Sequence, residues 1–173
     1  MEILLRHPFP PVFDANSRVL ILGTFPSERS RRDGFYYGHP QNRFWKVMAG
    51  VFNDTQPESI DEKKHFLLKH GLALWDVIAA CEITGSSDSS IKNPVPNDIA
   101  YIAHTAPLTQ VLLNGKAAYN LYRKLIAHKF ALPAAYAPST SPANAVYTID
   151  RLITAWRAIL LDTDLPGLAL FGI

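Results

Sequence analysis

The sequence predicts an α/β protein: three α/β/α layers around a central four-stranded, mainly parallel sheet in the order 2-1-3-4. Three observations predict it. Short apolar runs alternate with segments of helical spacing, the pattern of a parallel sheet with helices on both faces. Those runs are continuous in apolar character, as strands covered on both sides are. The first run, Val19, Leu20, Ile21 and Leu22, breaks at Gly23 into a polar-aromatic loop. Open α/β sheets place chemistry at such carboxyl edges.

The first strand is expected over residues 18–22, the second over 72–78, the third over 110–113 and the fourth over 134–137. A helix over 40–52 puts Phe44, Val47, Met48, Val51 and Phe52 on one stripe. The charged helix expected over 60–70 turns Phe66 and Leu67 inward, and a short one follows over 97–104. Next, 116–128 carries Ala117, Leu121, Leu125 and Ile126 in register. The last helix, 142–161, sets Val146, Ile149, Ile153, Trp156 and Leu160 at helical spacing, with Ser141 as its cap and Pro142 at its first position. Residues 82–96, rich in Ser, Gly and Pro, read as the longest loop. No internal repeat is found.

At 173 residues and 48% hydrophobic, the chain suits one domain over 1–173. No apolar run has the length of a membrane span, and Met1 to Pro11 lacks the apolar stretch of a signal peptide. A cytoplasmic location is expected, nucleoid-associated in a bacterium or archaeon. The single Cys81 leaves no intrachain disulfide and no cysteine cluster, and the six histidines show no paired metal-binding spacing. No metal and no cofactor are expected. A net charge of +2 permits a polyanionic partner without demanding one. Lys116 follows Gly115, but the frame of a phosphate-binding P-loop is missing.

Tyr36, Tyr37, His39, Gln41 and Asn42 set aromatic faces beside amide and imidazole groups, the equipment for stacking and hydrogen-bonding a nucleobase. The motifs GTFPS after the first strand, FYYGHPQNRFWKV, VLLNG at the third strand and APSTSPAN after the fourth fall in order along the chain. In these motifs the sequence resembles the uracil-DNA glycosylase superfamily, and most closely its hypoxanthine-DNA (deoxyinosine) glycosylase branch. It is also similar to the mismatch-specific uracil/thymine glycosylases through HPxNRFWK, although those carry G-I-N-P-G where this chain has Gly23 to Ser27.

The resemblance implies a monofunctional DNA repair enzyme that flips a deaminated base, foremost hypoxanthine, and hydrolyses its glycosidic bond with water. Alternatives are a uracil or mismatch-specific glycosylase and a non-catalytic nucleic-acid-binding module of the same fold. The partner is double- or single-stranded DNA carrying a damaged base, with no membrane, and a monomer is expected. Two departures bear on mechanism. Phe25 stands where much of the superfamily holds its water-positioning Asp or Asn, and Ala137 stands where a His or Asn often precedes Pro-Ser. The second disfavours uracil, because that side chain stabilises a pyrimidine carbonyl as charge develops.

Asn42 is the expected catalytic amide, with a helix-capping or bracing role as the bland reading. His39 is a candidate acid toward purine N7 or a brace before Pro40. Phe25 stacks under the base if exposed or packs if buried; one of Tyr36 and Tyr37 lines the pocket, Tyr37 being the one chosen. Asn114 reads a base edge or merely forms a turn with Gly115. Ser27, Ser139, Ser141 and Asn144 are expected on the DNA backbone, through hydroxyls and the N–H groups of a helix start at Pro142. Arg29, Arg31 and Arg32 read as a solvated face with a secondary phosphate role, and Asp88 as a loop cap or a second acid.

Overall fold

Continuous apolar runs can satisfy their backbone only by pairing in a sheet whose two faces are both covered, and this chain does so. In the computed structural model, which describes residues 3–161, the strands are β1 (Leu5–Arg6), β2 (Val19–Gly23), β3 (Leu72–Asp76), β4 (Ile78–Glu82), β5 (Lys92–Pro96), β6 (Gln110–Asn114) and β7 (Ala134–Ala137). The α-helices are α1 (Glu28–Asp33), α2 (Phe44–Phe52), α3 (Ile60–Lys69), α4 (Ala100–Ala103), α5 (Lys116–Leu125) and α6 (Ile149–Leu161). The main sheet has the order β3-β2-β6-β7 with every pairing parallel, which is the expected order 2-1-3-4. Alternation along β2 divides the core. Ile21 packs with Leu72, Leu74 and Leu112 under α2, α3 and α6, while Leu20 and Leu22 pack with Ala73, Val111 and Leu113 under α4 and α5.

Several expected boundaries move, each for a local reason. The second strand does not run to residue 78: the Val77 N–H donates to Gly23 O at 2.8 Å, and the chain turns there into β4. The expected loop 82–96 contains β5, which joins β1 and β4 in a second, antiparallel sheet of order β1-β4-β5. The helix expected from residue 40 starts at Phe44, and the one from 97 shrinks to four residues. In α5 the inward stripe is Ala118 and Tyr122, one residue on from Ala117 and Leu121.

The last helix departs most from expectation. It begins at Ile149, seven residues after Pro142, and buries Leu152, Trp156 and Ile159, while Val146 lies outside it at 75% exposure. Arg43 is the cause. Its guanidinium donates to the carbonyls of Ser141 at 2.8 Å, Asn144 at 3.1 Å, Thr140 and Tyr147, holding 140–147 as an irregular loop. Inside the loop the Asn144 N–H donates to Ser141 O at 3.0 Å and the Tyr147 N–H to Asn144 O at 3.3 Å, so these carbonyls serve tight turns and the guanidinium together.

Candidate active site

The carboxyl ends of β2 and β6 lie side by side where the sheet reverses its order, the position at which open α/β sheets bind ligands. A cavity of about 670 Å³ opens there. All four sequence motifs reach it: Gly23 to Ser27, then Tyr36, Tyr37, His39, Pro40 and Asn42, then Asn114, and Ser139 to Ala143, with Asp76 and Asp88 added from the segments between.

Gly23 is required where it stands. A Cβ on it would lie 2.5 Å from Asp76 Oδ1 and 2.9 Å from the Tyr37 hydroxyl, so the missing side chain leaves room for both oxygens beside the strand end. Tyr37 reaches that point through a left-handed backbone (φ 53), uncommon for a residue with a Cβ, and its ring stacks on Phe44 at 4.2 Å between centroids. Burial, reinforced by the charge of Asp76, holds the Tyr37 phenol far above its ordinary pKa, and so keeps it a donor. Tyr36 instead packs, 2% exposed, with its hydroxyl donating to Pro10 O at 2.9 Å.

Asn114 is 9% exposed and engaged on every side. Its Nδ2 donates to the Tyr37 hydroxyl and to Thr140 Oγ1, both at 3.0 Å, and its Oδ1 accepts from the Thr140 N–H at 3.1 Å. Both amide protons are thereby used inside the protein. Asn114 is the last residue of β6 and Gly115 the N-cap of α5, and the amide organises its neighbours.

Asn42 precedes α2 by two positions, and its Oδ1 accepts from the Phe44 N–H at 2.9 Å and from the Thr140 hydroxyl at 3.0 Å. Its Nδ2 is left toward the cavity that it lines. His39 stands exposed at the rim, its Nδ1 accepting from the Gln41 N–H at 3.1 Å. That bond puts the proton of the neutral ring on Nε2.

Phe25 proves to be a wall residue more than a platform. At 8% exposure it belongs to the core beneath β2, with Arg31 over its ring and His7 at its edge, although it still borders the cavity. Ser27 caps α1: its Oγ accepts from the Ser30 N–H and donates to Ser30 Oγ, both at 3.1 Å. The helix start expected at Pro142 is absent, so its N–H groups are not a phosphate cradle. The Ser141 N–H is held by Ser139 Oγ and the Ala143 N–H by Ser141 Oγ. Each of those serines accepts and keeps its own hydroxyl proton. Asn144 Nδ2 donates to Ser139 O at 3.0 Å, which closes the loop on itself. Asp88 opens a short 3-10 turn beside the cavity, and burial pushes its carboxyl pKa up against the lowering effect of Thr24.

Two residues escaped the sequence reading. Asp76 ends β3 at 3% exposure, and His7, from the segment after β1, meets its Oδ2 through Nε2 at 2.7 Å. The only signal was a lone acid ending the apolar run Leu72 to Trp75. His7 had none, because its partner is 69 positions away.

A profile of the uracil DNA glycosylase superfamily matches residues 10–160. A Methanosarcina acetivorans protein named hypoxanthine DNA glycosylase is 34% identical over 158 residues, which cover 90% of this chain and 98% of that one. A Methanosarcina barkeri protein of the same name is 38% identical over 113 residues, 64% of this chain and 72% of that one. In three dimensions the chain is similar to a Methanosarcina acetivorans protein solved by solution NMR and described as a candidate uracil DNA glycosylase. The TM-score is 0.78 at 31% identity, covering 91% of this chain and 97% of that one.

Proposed function

The chain belongs to the uracil DNA glycosylase superfamily, and from that premise we propose that it is a DNA glycosylase that removes a deaminated base, hypoxanthine foremost, by flipping the nucleotide and directing water at its anomeric carbon. The observation that carries this reading is the convergence of four motifs, separated by up to about a hundred residues, on one cavity at the sheet's switch point. Base flipping needs a pocket at the DNA surface into which a nucleobase can turn.

Glycosidic cleavage passes through a cationic sugar, so the site must hold a water, tolerate positive charge and receive the base. In this proposal Asn42, pinned through Oδ1, holds the water by donating from Nδ2 to one lone pair while another faces the sugar. His39 donates from Nε2 to the ring nitrogen of the departing purine. Tyr37 and Phe25 form the wall against which the base rests, and Asn114 fixes Tyr37. The hydroxyl protons of Ser139 and Ser141, with Asn144 shaping their loop, are donors for DNA phosphates; Ser27 acts by fixing α1 at the mouth.

We assign the whole to a single domain, working as a monomer in the cytoplasm on DNA of either strandedness. Among the described residues, no helix is long and apolar enough to cross a membrane. The test is a single-turnover panel of labelled oligonucleotides carrying hypoxanthine, xanthine, uracil or mismatched thymine, in duplex and single strand. Alkali-labile abasic sites at hypoxanthine are expected. Retention of these oligonucleotides without any abasic product would make the chain a binding module instead, and fastest cleavage at uracil would move its substrate.

A further inference from the structure

The edge of the main sheet carries rings and cations that the proposed chemistry does not use. No Asp or Glu occurs between Asp98 and Asp150, a stretch with four Lys and Arg in a chain whose net charge is only +2. Tyr119, in the first turn of α5, sets its ring 6.1 Å from that of Tyr136 on β7, an edge strand of the main sheet. Arg123 lies over the Tyr119 ring at 5.7 Å. On the far side of Tyr136, Tyr147 stands close enough to add to the upward push that burial gives the Tyr136 phenol. Arg151 lies over the Tyr147 ring at 4.6 Å, its guanidinium anchored on Val146 O at 2.9 Å. All three tyrosines are half-buried and both arginines are exposed. Among the described residues, neither arginine forms an ion pair.

This row begins beside the cavity. A Cβ on Gly115, the N-cap of α5, would lie 3.1 Å from the Cβ of Ser139, which lines the cavity. The Tyr119 N–H donates to Gly115 O, so the first ring is one helical turn, about 5.4 Å, along from that contact. A strand that leaves the cavity across Ser139 meets the row next.

Cations alone would suit the phosphates of any nucleic acid. Rings set between them serve only unpaired bases, because a duplex keeps its base faces stacked inside. We infer that this edge is a docking track for single-stranded DNA flanking the lesion: the Tyr136 ring stacks on a base, and Arg123 and Arg151 take phosphates on either side. A guanidinium already laid on a ring loses less freedom when it binds. The track lies outside the cavity, so it directs the enzyme to damaged bases in unpaired DNA without touching the bond that breaks. Docking needs no excision, and undamaged DNA therefore tests it apart from the glycosylase reading.

Fluorescence anisotropy follows three labelled probes: a thymidine strand of about 16 nucleotides, a strand of equal length with tetrahydrofuran in place of every nucleoside, and a blunt duplex. The parent is expected to bind the thymidine strand more tightly than its abasic counterpart. Tyr136→Ala should weaken binding of the thymidine strand roughly tenfold and leave the other two probes unchanged, whereas Tyr136→Phe should bind as the parent does. Arg123→Gln should weaken both single strands and lower the slope of log affinity against log salt by about 0.7.

Parental affinity for the thymidine strand in Tyr136→Ala overturns the inference, and so does an equal loss on all three probes. Tighter binding of a uridine strand than of the thymidine strand would give the edge to RNA and overturn it as well. If Tyr136→Ala does not fold, Arg123→Gln, at an exposed position, decides: an unchanged salt slope refutes the track. A parent that excises hypoxanthine while Tyr136→Ala grips the thymidine strand undiminished refutes the track alone. A parent that never excises, with the thymidine strand lost in Tyr136→Ala, keeps the track and refutes the glycosylase reading.

Discussion

Thr140 donates its hydroxyl proton to Asn42 Oδ1 at 3.0 Å across 98 positions of sequence. With the Phe44 N–H on the same oxygen, the amide plane of Asn42 is fixed from two sides. If that amide holds the attacking water, Asn42→Ala should lower the single-turnover excision rate by roughly 10²-fold or more, while affinity for DNA with an uncleavable analogue stays near the parent's. Thr140→Val keeps the shape and releases the amide, and a smaller loss of about tenfold is expected. A parental rate in Asn42→Ala would assign the amide to bracing alone.

Gly23→Ala places a methyl 2.5 Å from Asp76 Oδ1, on a carboxylate that His7 holds through its other oxygen. The neighbours cannot retreat freely, so a destabilisation of about 1–3 kcal/mol is expected in denaturant unfolding. Excision should be nearly abolished in the folded fraction, because the floor of the cavity is displaced. Full activity in that fraction would show that the base does not approach this strand end.

Arg43→Lys tests the loop. Lysine brings a compact charge on a flexible stem and cannot match a planar fork that spans four carbonyls. Residues 140–147 should exchange their amide protons faster, and affinity for damaged and undamaged DNA should fall together, since backbone contacts position without specifying. A loss confined to damaged DNA would place Arg43 in base recognition instead.

Alkaline pH should act through the buried phenols. Burial raises the pKa of Tyr36, Tyr37 and Tyr122 in the fold. A raised folded value means their contribution to stability is fully present below the unfolded tyrosine pKa of about 10 and is lost as pH climbs beyond it. The phenolate absorbance of these side chains is therefore expected to appear together with the loss of the fold. Tyr36, Tyr37 and Tyr122 are expected to ionise only with cooperative unfolding. Ionisation of Tyr36 and Tyr122 with the fold intact would contradict their burial.

The sheet and its order were legible because each strand is a short apolar run, and the motifs because they sit at strand ends. Contacts between distant side chains were not. Ser141 to Thr148 reads locally as helix, since Pro142 after Ser141 is a sound helix start, and the bonds that brace it as a loop include those from distant Arg43. β5 was hidden in a stretch with two prolines, Pro94 and Pro96, which an edge strand tolerates. Phe25 was open between stacking and packing because its identity is the same in either role; only its burial decides. Asp76 was passed over because one acid at a strand end carries no pattern until His7 arrives from the other sheet's side.

The bonds from Arg43 to the 140–147 loop end on main-chain oxygens, which every residue type carries. The shape of that loop is therefore largely indifferent to what its outward side chains are. Pro142, Ala143, Ala145 and Val146, all exposed, form a surface that mutation can rewrite while the frame stays in place. Such a loop is a natural cassette for retuning how the protein grips its polymer, and a library randomised there should retain folded members far more often than one randomised at Arg43.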